Sequence, residues 1–277
     1  MIDGVGFGAP LDTELELLVK AAVASVEDEG YAVLGQLDPA MVEDLSQAID
    51  EAAAAALVDA PQGSGDLHLL SGLERHRALV EIVDWPPLLK TMTTLLSHNI
   101  YVHHSHLDVH PPHPPTDGRR WHRDGGVQGR DMRLMPGVQP RMSVKAAIFL
   151  TPVEHEDHGA FELVPRSHFD LDTRDLRSDP EGALPMVVPG GTVVLFDARV
   201  LHRRRDNLGT ATRKAMFLAY TYRWVTSRDA RFVDVEAWRD LTGVRRQLLG
   251  DMTWDPFYPA AGELPLEQAC WLATSGA

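Results

Sequence analysis

The sequence predicts a mainly β protein with helical additions, because its hydrophobic period changes near residue 100. Before this point apolar residues recur at helical spacing. After it, short β-prone runs alternate with Pro and Gly clusters, as in a sandwich, jelly roll or barrel. No βαβ alternation occurs, and the Gly pairs at 125–126 and 190–191 lie outside any dinucleotide-binding pattern. Rossmann and P-loop folds are therefore excluded.

The first part of the chain, residues 1–99, is predicted to be mainly helical. Asp12 suits a helix N-cap, Gly30 suits a helix end, and Pro39 suits the first turn of the next helix. The predicted elements are helices at residues 12–30, 38–57 and 85–96, a short strand at 31–34 and a loop at 61–65.

The second part, residues 100–225, carries the β pattern. The predicted strands are residues 101–109, 143–150, 160–164, 192–196 and 214–224. Residues 226–277 return to helix and loop, and we expect them to pack around the β core. One domain over residues 1–277 is the resulting prediction.

Charge and composition narrow the class of function. A net charge of −14, from 40 acidic and 26 basic side chains, would repel a phosphate backbone or an anionic membrane. No apolar run is long enough to span a membrane and residues 1–10 do not resemble a secretory signal, so we expect a cytoplasmic protein. We expect a small-molecule substrate, no nucleic-acid partner, and a monomer or homodimer. The lone cysteine, Cys270, cannot build a metal site by itself, so any metal is expected on histidines and carboxylates.

The histidines favour a metal site, since most of the 13 lie between His98 and His202. The segment Trp-His-Arg-Asp-Gly-Gly at 121–126 contains His122-x-Asp124, and this spacing at the end of a strand puts both side chains on one face. An apolar run at 193–201, predicted as a strand, leads into His202 as a third donor. Two histidines and one carboxylate bind one face of iron(II) and leave positions open for substrate and oxygen.

A second set of donors competes with the first. His104, His106, Asp108 and His110 alternate along one predicted strand and project from the same face, whereas His103 is expected to point the other way. This set also contains a His-x-Asp pair, and periodicity alone does not choose between the two sets.

Several segments, in order, resemble the phytanoyl-CoA dioxygenase family of iron(II)- and 2-oxoglutarate-dependent oxygenases. They are Gly-Tyr-Ala-Val-Leu at 30–34, Trp-His-Arg-Asp-Gly-Gly at 121–126, Gly-Ala-Phe-Glu-Leu-Val-Pro-Arg-Ser-His at 159–168, and Pro-Gly-Gly-Thr at 189–192 leading to His202. Arg213 follows that histidine at the family's usual spacing. The resemblance covers residues 30–224 and implies a double-stranded β-helix, a jelly-roll core of cupin type.

The resemblance also implies roles for particular residues. His122, Asp124 and His202 would hold the iron and form the catalytic centre, with 2-oxoglutarate and O2 as co-substrates. Arg213 would grip the distal carboxylate of 2-oxoglutarate, since a guanidinium fork suits a carboxylate. Further candidates for co-substrate contact are Lys145, His104, Asp108 and Thr192. Candidates for substrate contact are His106, Trp121 and Arg203.

Lys145 interrupts the apolar pattern of residues 143–150, so it is expected to be functional if that strand faces the site. The alternative is an edge-strand lysine that faces solvent.

The reaction implied by the family is oxidation of an unactivated C–H bond in a small molecule, by hydroxylation, oxidative cyclisation or desaturation. Halogenation is disfavoured because Asp124 occupies the position that halide would need. The abundance of alanine and only four lysines are typical of a GC-rich bacterial genome, and we expect tailoring of a natural product such as an antibiotic scaffold or its sugar. The alternatives are a cupin-like metalloenzyme that does not use 2-oxoglutarate and a non-catalytic jelly roll that binds small molecules.

Overall fold

The computed structural model describes residues 13–59, 66–116, 120–124, 139–170, 179–229 and 238–274. The helices in these residues are α1 (Thr13–Glu29), α2 (Pro39–Asp59), α3 (Gly72–Arg75), α4 (Pro86–Leu95), α5 (Gly243–Leu248) and α6 (Pro265–Thr274), with a 3₁₀ turn at Arg77–Val80. None of the described helices is long and apolar enough to cross a membrane.

The strands form two antiparallel sheets. They are β1 (Tyr31–Gln36), β2 (Leu67–Leu70), β3 (Ile100–His110), β4 (Ser143–Phe149), β5 (Phe161–Leu163), β6 (Leu184–Pro185), β7 (Thr192–Asp197), β8 (His202–Arg204) and β9 (Arg213–Tyr222). The large sheet has the order β1-β7-β4-β9-β3-β2, and the small sheet has the order β6-β5-β8. The two sheets face each other without closing into a barrel, which confirms the jelly-roll prediction.

The two faces of the large sheet pack into different cores. One face carries apolar side chains such as Val144, Leu195 and Leu218 and packs against α1, α2 and α4. The other face carries Phe196 and Phe217, which pack against Phe161 of the small sheet. Because side chains alternate along a strand, neighbouring residues of one strand serve different cores. The second face lines the space between the sheets.

The end of α1 is tied to the turn that precedes β8. Gly30 has φ +84°, and a Cβ there would lie 2.5 Å from Val200 Cγ2, so only glycine fits this position. The Gly30 carbonyl accepts from the Asp197 amide at 2.9 Å, and the Glu29 carbonyl accepts from the Arg166 amide at 2.8 Å. The helix therefore ends directly on the turn between β7 and β8.

One expectation needs correction. The run at 193–201 is not one strand, because β7 ends at Asp197, whose carboxylate accepts from the Arg199 amide and side chain in a turn. His202 therefore begins its own strand, in the other sheet. Residues 1–99 also contain the short strand β2, which the sequence pattern did not indicate. The predicted loop at 61–65, Asp12 and the Gly pair at 125–126 lie outside the described residues.

Candidate metal centre and cavity

The structure brings His122, Asp124 and His202 together. One ligand atom from each lies within 4.8 Å of the others, and His202 Nε2 is 3.6 Å from Asp124 Oδ2. His122 and His202 pair through two backbone hydrogen bonds of 2.9 Å, and the Asp124 amide donates to the Ala198 carbonyl at 3.0 Å. Backbone pairing thus joins donors that lie about 80 positions apart in the chain.

A hydrogen bond from Nδ1 orients the imidazole of both His122 and His202. Nδ1 of His122 donates to the Arg120 carbonyl at 3.0 Å, and Nδ1 of His202 donates to the Val200 carbonyl at 2.9 Å. Carbonyls only accept, so these bonds fix the Nδ1–H tautomer and leave Nε2 of each ring free to bind a metal. Burial lowers the pKa of His202 to about 4, so its imidazole is neutral at pH 7.

Lys145 is paired with the carboxylate of this centre. Its Nζ lies 2.7 Å from Asp124 Oδ2. Burial would raise the pKa of Asp124, but the Lys145 ammonium, with smaller help from His202 and His122, holds that pKa well below its usual range. Lys145 is not on an edge strand, since β4 lies between β7 and β9. The side chain points inward, and the solvent-facing alternative does not hold.

The triad opens into a cavity of about 340 Å³ between the two sheets. Its apolar wall is formed by Phe161, Phe196 and Phe217. Its cationic side chains are Arg123, Lys145, Arg203, Arg204 and Arg228. Among the described residues, the carboxylates that line it are those of Asp108 and Asp124. Arg203 and Arg204 also pair with Glu162 and Asp66 outside the lining, but in a protein with a net charge of −14 the cations that line the cavity still favour anionic molecules.

Arg213 is buried behind this cavity with unused hydrogen-bonding capacity. None of its three guanidinium nitrogens has a hydrogen-bond acceptor in the described part of the chain. Its nearest acid is Asp108, with Nη1 3.6 Å from Oδ2. Burial lowers the pKa of Arg213 to about 10; Asp108 opposes this effect and Arg204 adds to it. A carboxylate that reached this guanidinium would supply the hydrogen-bond acceptors that the described residues do not provide.

The competing donors form a second cluster on the opposite wall. Ligand atoms of His68, His106 and Asp108 lie within 4.8 Å of one another, and His68 Nδ1 is 2.7 Å from Asp108 Oδ1. His110 also contacts Asp108, with Nε2 3.3 Å from Oδ2. Burial raises the pKa of Asp108, but the bond to His68 and the nearby His106 and Arg213 lower it below its ordinary value. Each oxygen of Asp108 thus has partners within the protein.

The other candidates from the sequence lie in varied positions. His104, like His106 and Asp108, lines the cavity, and so does Arg203. Arg203 lies over the Trp121 ring at 4.6 Å and pairs with Glu162 at 2.5 Å. Trp121 and Thr192 are not among the cavity-lining residues, and the Thr192 hydroxyl donates to the Pro189 carbonyl at 2.7 Å.

Several cavity residues were not found by sequence reasoning. His68 lies on β2, a stretch for which the sequence analysis predicted no strand. Phe161, Phe196 and Phe217 alternate with residues that face the other side of their sheet. Aromatic residues at that spacing are equally typical of an ordinary core, so the pattern did not identify them as cavity residues. Arg228 carries no local motif at all.

The match to a family model covers residues 26–215 and identifies the phytanoyl-CoA dioxygenase family. The chain belongs to this family, which confirms the resemblance seen in the sequence. It is accordingly an oxidoreductase that uses Fe(II), 2-oxoglutarate and O2. The three ligand side chains fit this metal, and the Arg213 guanidinium, which has no hydrogen-bond acceptor among the described residues, fits a dicarboxylate.

Solved structures of similar fold include two enzymes of nogalamycin biosynthesis and a non-heme monooxygenase. They include the α-ketoglutarate-dependent carbocyclase SnoK from nogalamycin biosynthesis (21% identity, TM-score 0.57, covering 85% of this chain and 94% of SnoK). The α-ketoglutarate-dependent epimerase SnoN of the same pathway has 16% identity and a TM-score of 0.58, covering 88% of this chain and 92% of SnoN. The non-heme monooxygenase ThoJ, solved as a nickel complex, has 17% identity and a TM-score of 0.56, covering 74% of this chain and 79% of ThoJ. At these identities the likeness establishes the fold. No curated protein matches the chain by sequence.

Proposed function

We propose that His122, Asp124 and His202 hold the iron, and that the enzyme oxidises an unactivated C–H bond of a small molecule. The observation that carries this assignment is the pair of Nε2 lone pairs, fixed by bonds from Nδ1 to backbone carbonyls, beside an ionised carboxylate at one end of a cavity. The competing His68, His106 and Asp108 set has its carboxylate already engaged by His68 and His110.

Arg213 would bind the distal carboxylate of 2-oxoglutarate. Its unused nitrogens support this role, because a buried guanidinium without acceptors is costly until an anion arrives. Gly159 makes room for it, since a Cβ on Gly159 would lie 2.9 Å from Arg213 Cδ. Arg204, which lowers the pKa of Arg213, adds positive charge at the same end of the cavity.

The residues of the chain would divide the remaining work. When bound, the iron and 2-oxoglutarate supply oxygen activation and the removal of a hydrogen atom, with conversion of 2-oxoglutarate to succinate and carbon dioxide. Lys145 keeps Asp124 ionised and fixed in place. Phe161 and Phe196 pack against the His202 ring at 5.4 and 5.0 Å and exclude water from that side. The protein thus orients the reactants and shields them.

We propose a natural-product scaffold or its sugar as the substrate class, with hydroxylation, cyclisation or desaturation as the outcome. The carbocyclase and epimerase of nogalamycin biosynthesis support this choice because they share the fold. We further propose a single domain, a small-molecule substrate and no nucleic-acid partner.

Iron and 2-oxoglutarate binding to purified protein under anaerobic conditions tests the assignment. His122→Ala and Asp124→Ala are expected to lose iron while remaining folded, whereas His68→Ala keeps it. Full iron occupancy in His122→Ala and Asp124→Ala, or loss of iron only in His68→Ala, would contradict this assignment and favour the cluster of His68, His106 and Asp108 as the iron site.

Arg213→Leu is expected to bind iron normally and to require at least about tenfold more 2-oxoglutarate for the metal-to-ligand absorption band, the cost of one charge-assisted bond. The matched control is Arg77→Leu, whose guanidinium pairs with exposed Asp240 away from the cavity. An unchanged 2-oxoglutarate requirement in Arg213→Leu would favour the metalloenzyme that does not use this co-substrate.

A further inference from the structure

The side chains of Asp229, His104 and His106 form a hydrogen-bonded relay that ends at the cavity, and both histidines are buried. Asp229 Oδ1 lies 2.7 Å from His104 Nδ1, and His104 Nε2 lies 3.3 Å from His106 Nδ1. The family motifs do not contain this relay, and its first member lies 125 positions from its second.

The carboxylate of Asp229 determines the direction of the relay. Asp229 Oδ2 accepts from both the amide and the hydroxyl of Ser105, at 2.6 and 2.7 Å, and Oδ1 faces the His104 ring. An ionised carboxylate only accepts, so His104 Nδ1 carries the proton and its Nε2 is an acceptor. His106 therefore donates from Nδ1.

The second nitrogen of His106 is consequently unprotonated. Its ring stacks on Phe217 at 4.5 Å with an interplanar angle of 11°, which fixes the plane of the ring. Nδ1 of His106 is directed at His104, so Nε2, at the other edge of the ring, is available to a molecule in the cavity. Among the described residues no group is hydrogen-bonded to this Nε2. Burial lowers the pKa of His106 well below its ordinary value, which keeps the ring neutral.

We propose that His106 Nε2 accepts a hydrogen bond from a hydroxyl or amino group of the substrate, and that His104 and Asp229 are positioning residues that keep this nitrogen unprotonated. This inference rests on the proposed function, since it places the substrate between His106 and the metal centre. His106 and the metal centre line the same cavity, and ring contacts connect them: the Phe217 ring centroid lies 6.1 Å from that of Phe161, which lies 5.4 Å from that of His202. The cavity thus selects small molecules that carry a hydrogen-bond donor.

The tautomer can be measured without any substrate. Long-range ¹H–¹⁵N spectra of histidine-labelled protein are expected to show a protonated Nδ1 and an unprotonated Nε2 for His106, assigned by comparison with His106→Leu. Asp229→Ala is expected to mix the two tautomers, and Asp240→Ala, an exposed acid paired with Arg77, to leave them unchanged. A protonated Nε2 on His106 in the wild-type protein, as a doubly protonated His104 would produce, overturns the proposal.

The substrate class is tested with pairs of compounds that differ only in one hydroxyl or amino group, with succinate formation as the readout. The compound that carries the donor is expected to be the better substrate. His106→Leu is expected to raise the KM for this compound roughly tenfold, the effect of losing one buried hydrogen bond, and to leave the KM for the compound without the donor unchanged. His106→Gln, which restores an acceptor, is expected to recover part of the loss. Equal loss for both members, or turnover confined to compounds without a donor, overturns the proposal.

Two further measurements distinguish a substrate-binding role of His106 from failure of the proposed function and from a role of His106 as a metal ligand. Iron and 2-oxoglutarate binding in His106→Leu is expected to equal that of the wild type; if the wild type itself fails to bind them, the proposed function fails while the tautomer result still stands. Titration with Zn²⁺ alone is expected to show one bound equivalent. A second equivalent that His106→Leu abolishes would make this nitrogen a metal ligand and would refute its role in binding substrate.

Discussion

Removal of the Lys145 ammonium tests whether this cation balances the charge of Asp124 in the metal-free protein. Lys145 and Asp124 form a buried pair, with side chains 8% and 17% exposed and 2.7 Å between Nζ and Oδ2. Loss of one partner of a buried pair leaves an uncompensated charge and costs about 3 kcal/mol. Lys145→Met is therefore expected to lower the free energy of unfolding of the metal-free protein by about this amount. A divalent metal beside Asp124 would replace the lost cation.

Urea unfolding at pH 7, with and without Zn²⁺, provides the measurement. Zn²⁺ is expected to stabilise Lys145→Met more than it stabilises the wild type, so the two proteins become closer in stability when metal is bound. Lys214→Met is the matched control: Lys214 pairs with Asp50 at 2.6 Å, but the Asp50 side chain is 57% exposed. Such a pair is worth about 0–1 kcal/mol. Equal losses in the two variants, or no additional effect of Zn²⁺, would refute the reasoning.

Two further outcomes are expected. Gly159→Ala should weaken 2-oxoglutarate binding by about tenfold, because its Cβ would lie 2.9 Å from Arg213 Cδ, and the same absorption titration measures it. Gly182→Ala is its control, since Gly182 has a similar φ of +77° and no atom within 4 Å of the added carbon; equal weakening in both variants would contradict a steric cause. Separately, His202 has a pKa lowered to about 4, so between pH 6.5 and 4 the unfolded chain binds more protons than the folded one. The free energy of unfolding of the metal-free protein should therefore fall as the pH decreases through this window, by at most about 1.4 kcal/mol per pH unit from this group. His202→Asn should make this pH dependence less steep. An identical slope in wild type and variant, measured by urea unfolding at several pH values, would contradict a lowered pKa of His202.

The sequence predicted those parts of the site that depend on local spacing. His122 and Asp124 are two residues apart, so a motif finds them, and the inward alternation of His104, His106 and Asp108 follows from strand geometry. These residues needed no knowledge of the tertiary structure.

Features that depend on distant partners could not be predicted in this way. The role of Lys145 depends on an ion pair across the sheets, and periodicity could not distinguish it from a solvent-facing lysine. The turn after β7 was missed because the apolar run continues through Val200, and hydrogen bonds to the Asp197 side chain, rather than hydrophobicity, end the strand. Asp229 meets His104 only after the chain has folded back over 125 positions.

The junction at Gly30 links the helical layer to the metal centre. The Val200 side chain packs against Gly30, and the Val200 carbonyl holds the His202 ring through Nδ1. The orientation of one ligand is thus set by a helix that contributes no atom to the cavity. A fragment that starts after Gly30 would retain all three donors yet lack the support that aims one of them. Engineering of this enzyme by exchange of its first helix should therefore alter metal affinity, although every substituted position lies outside the catalytic chamber.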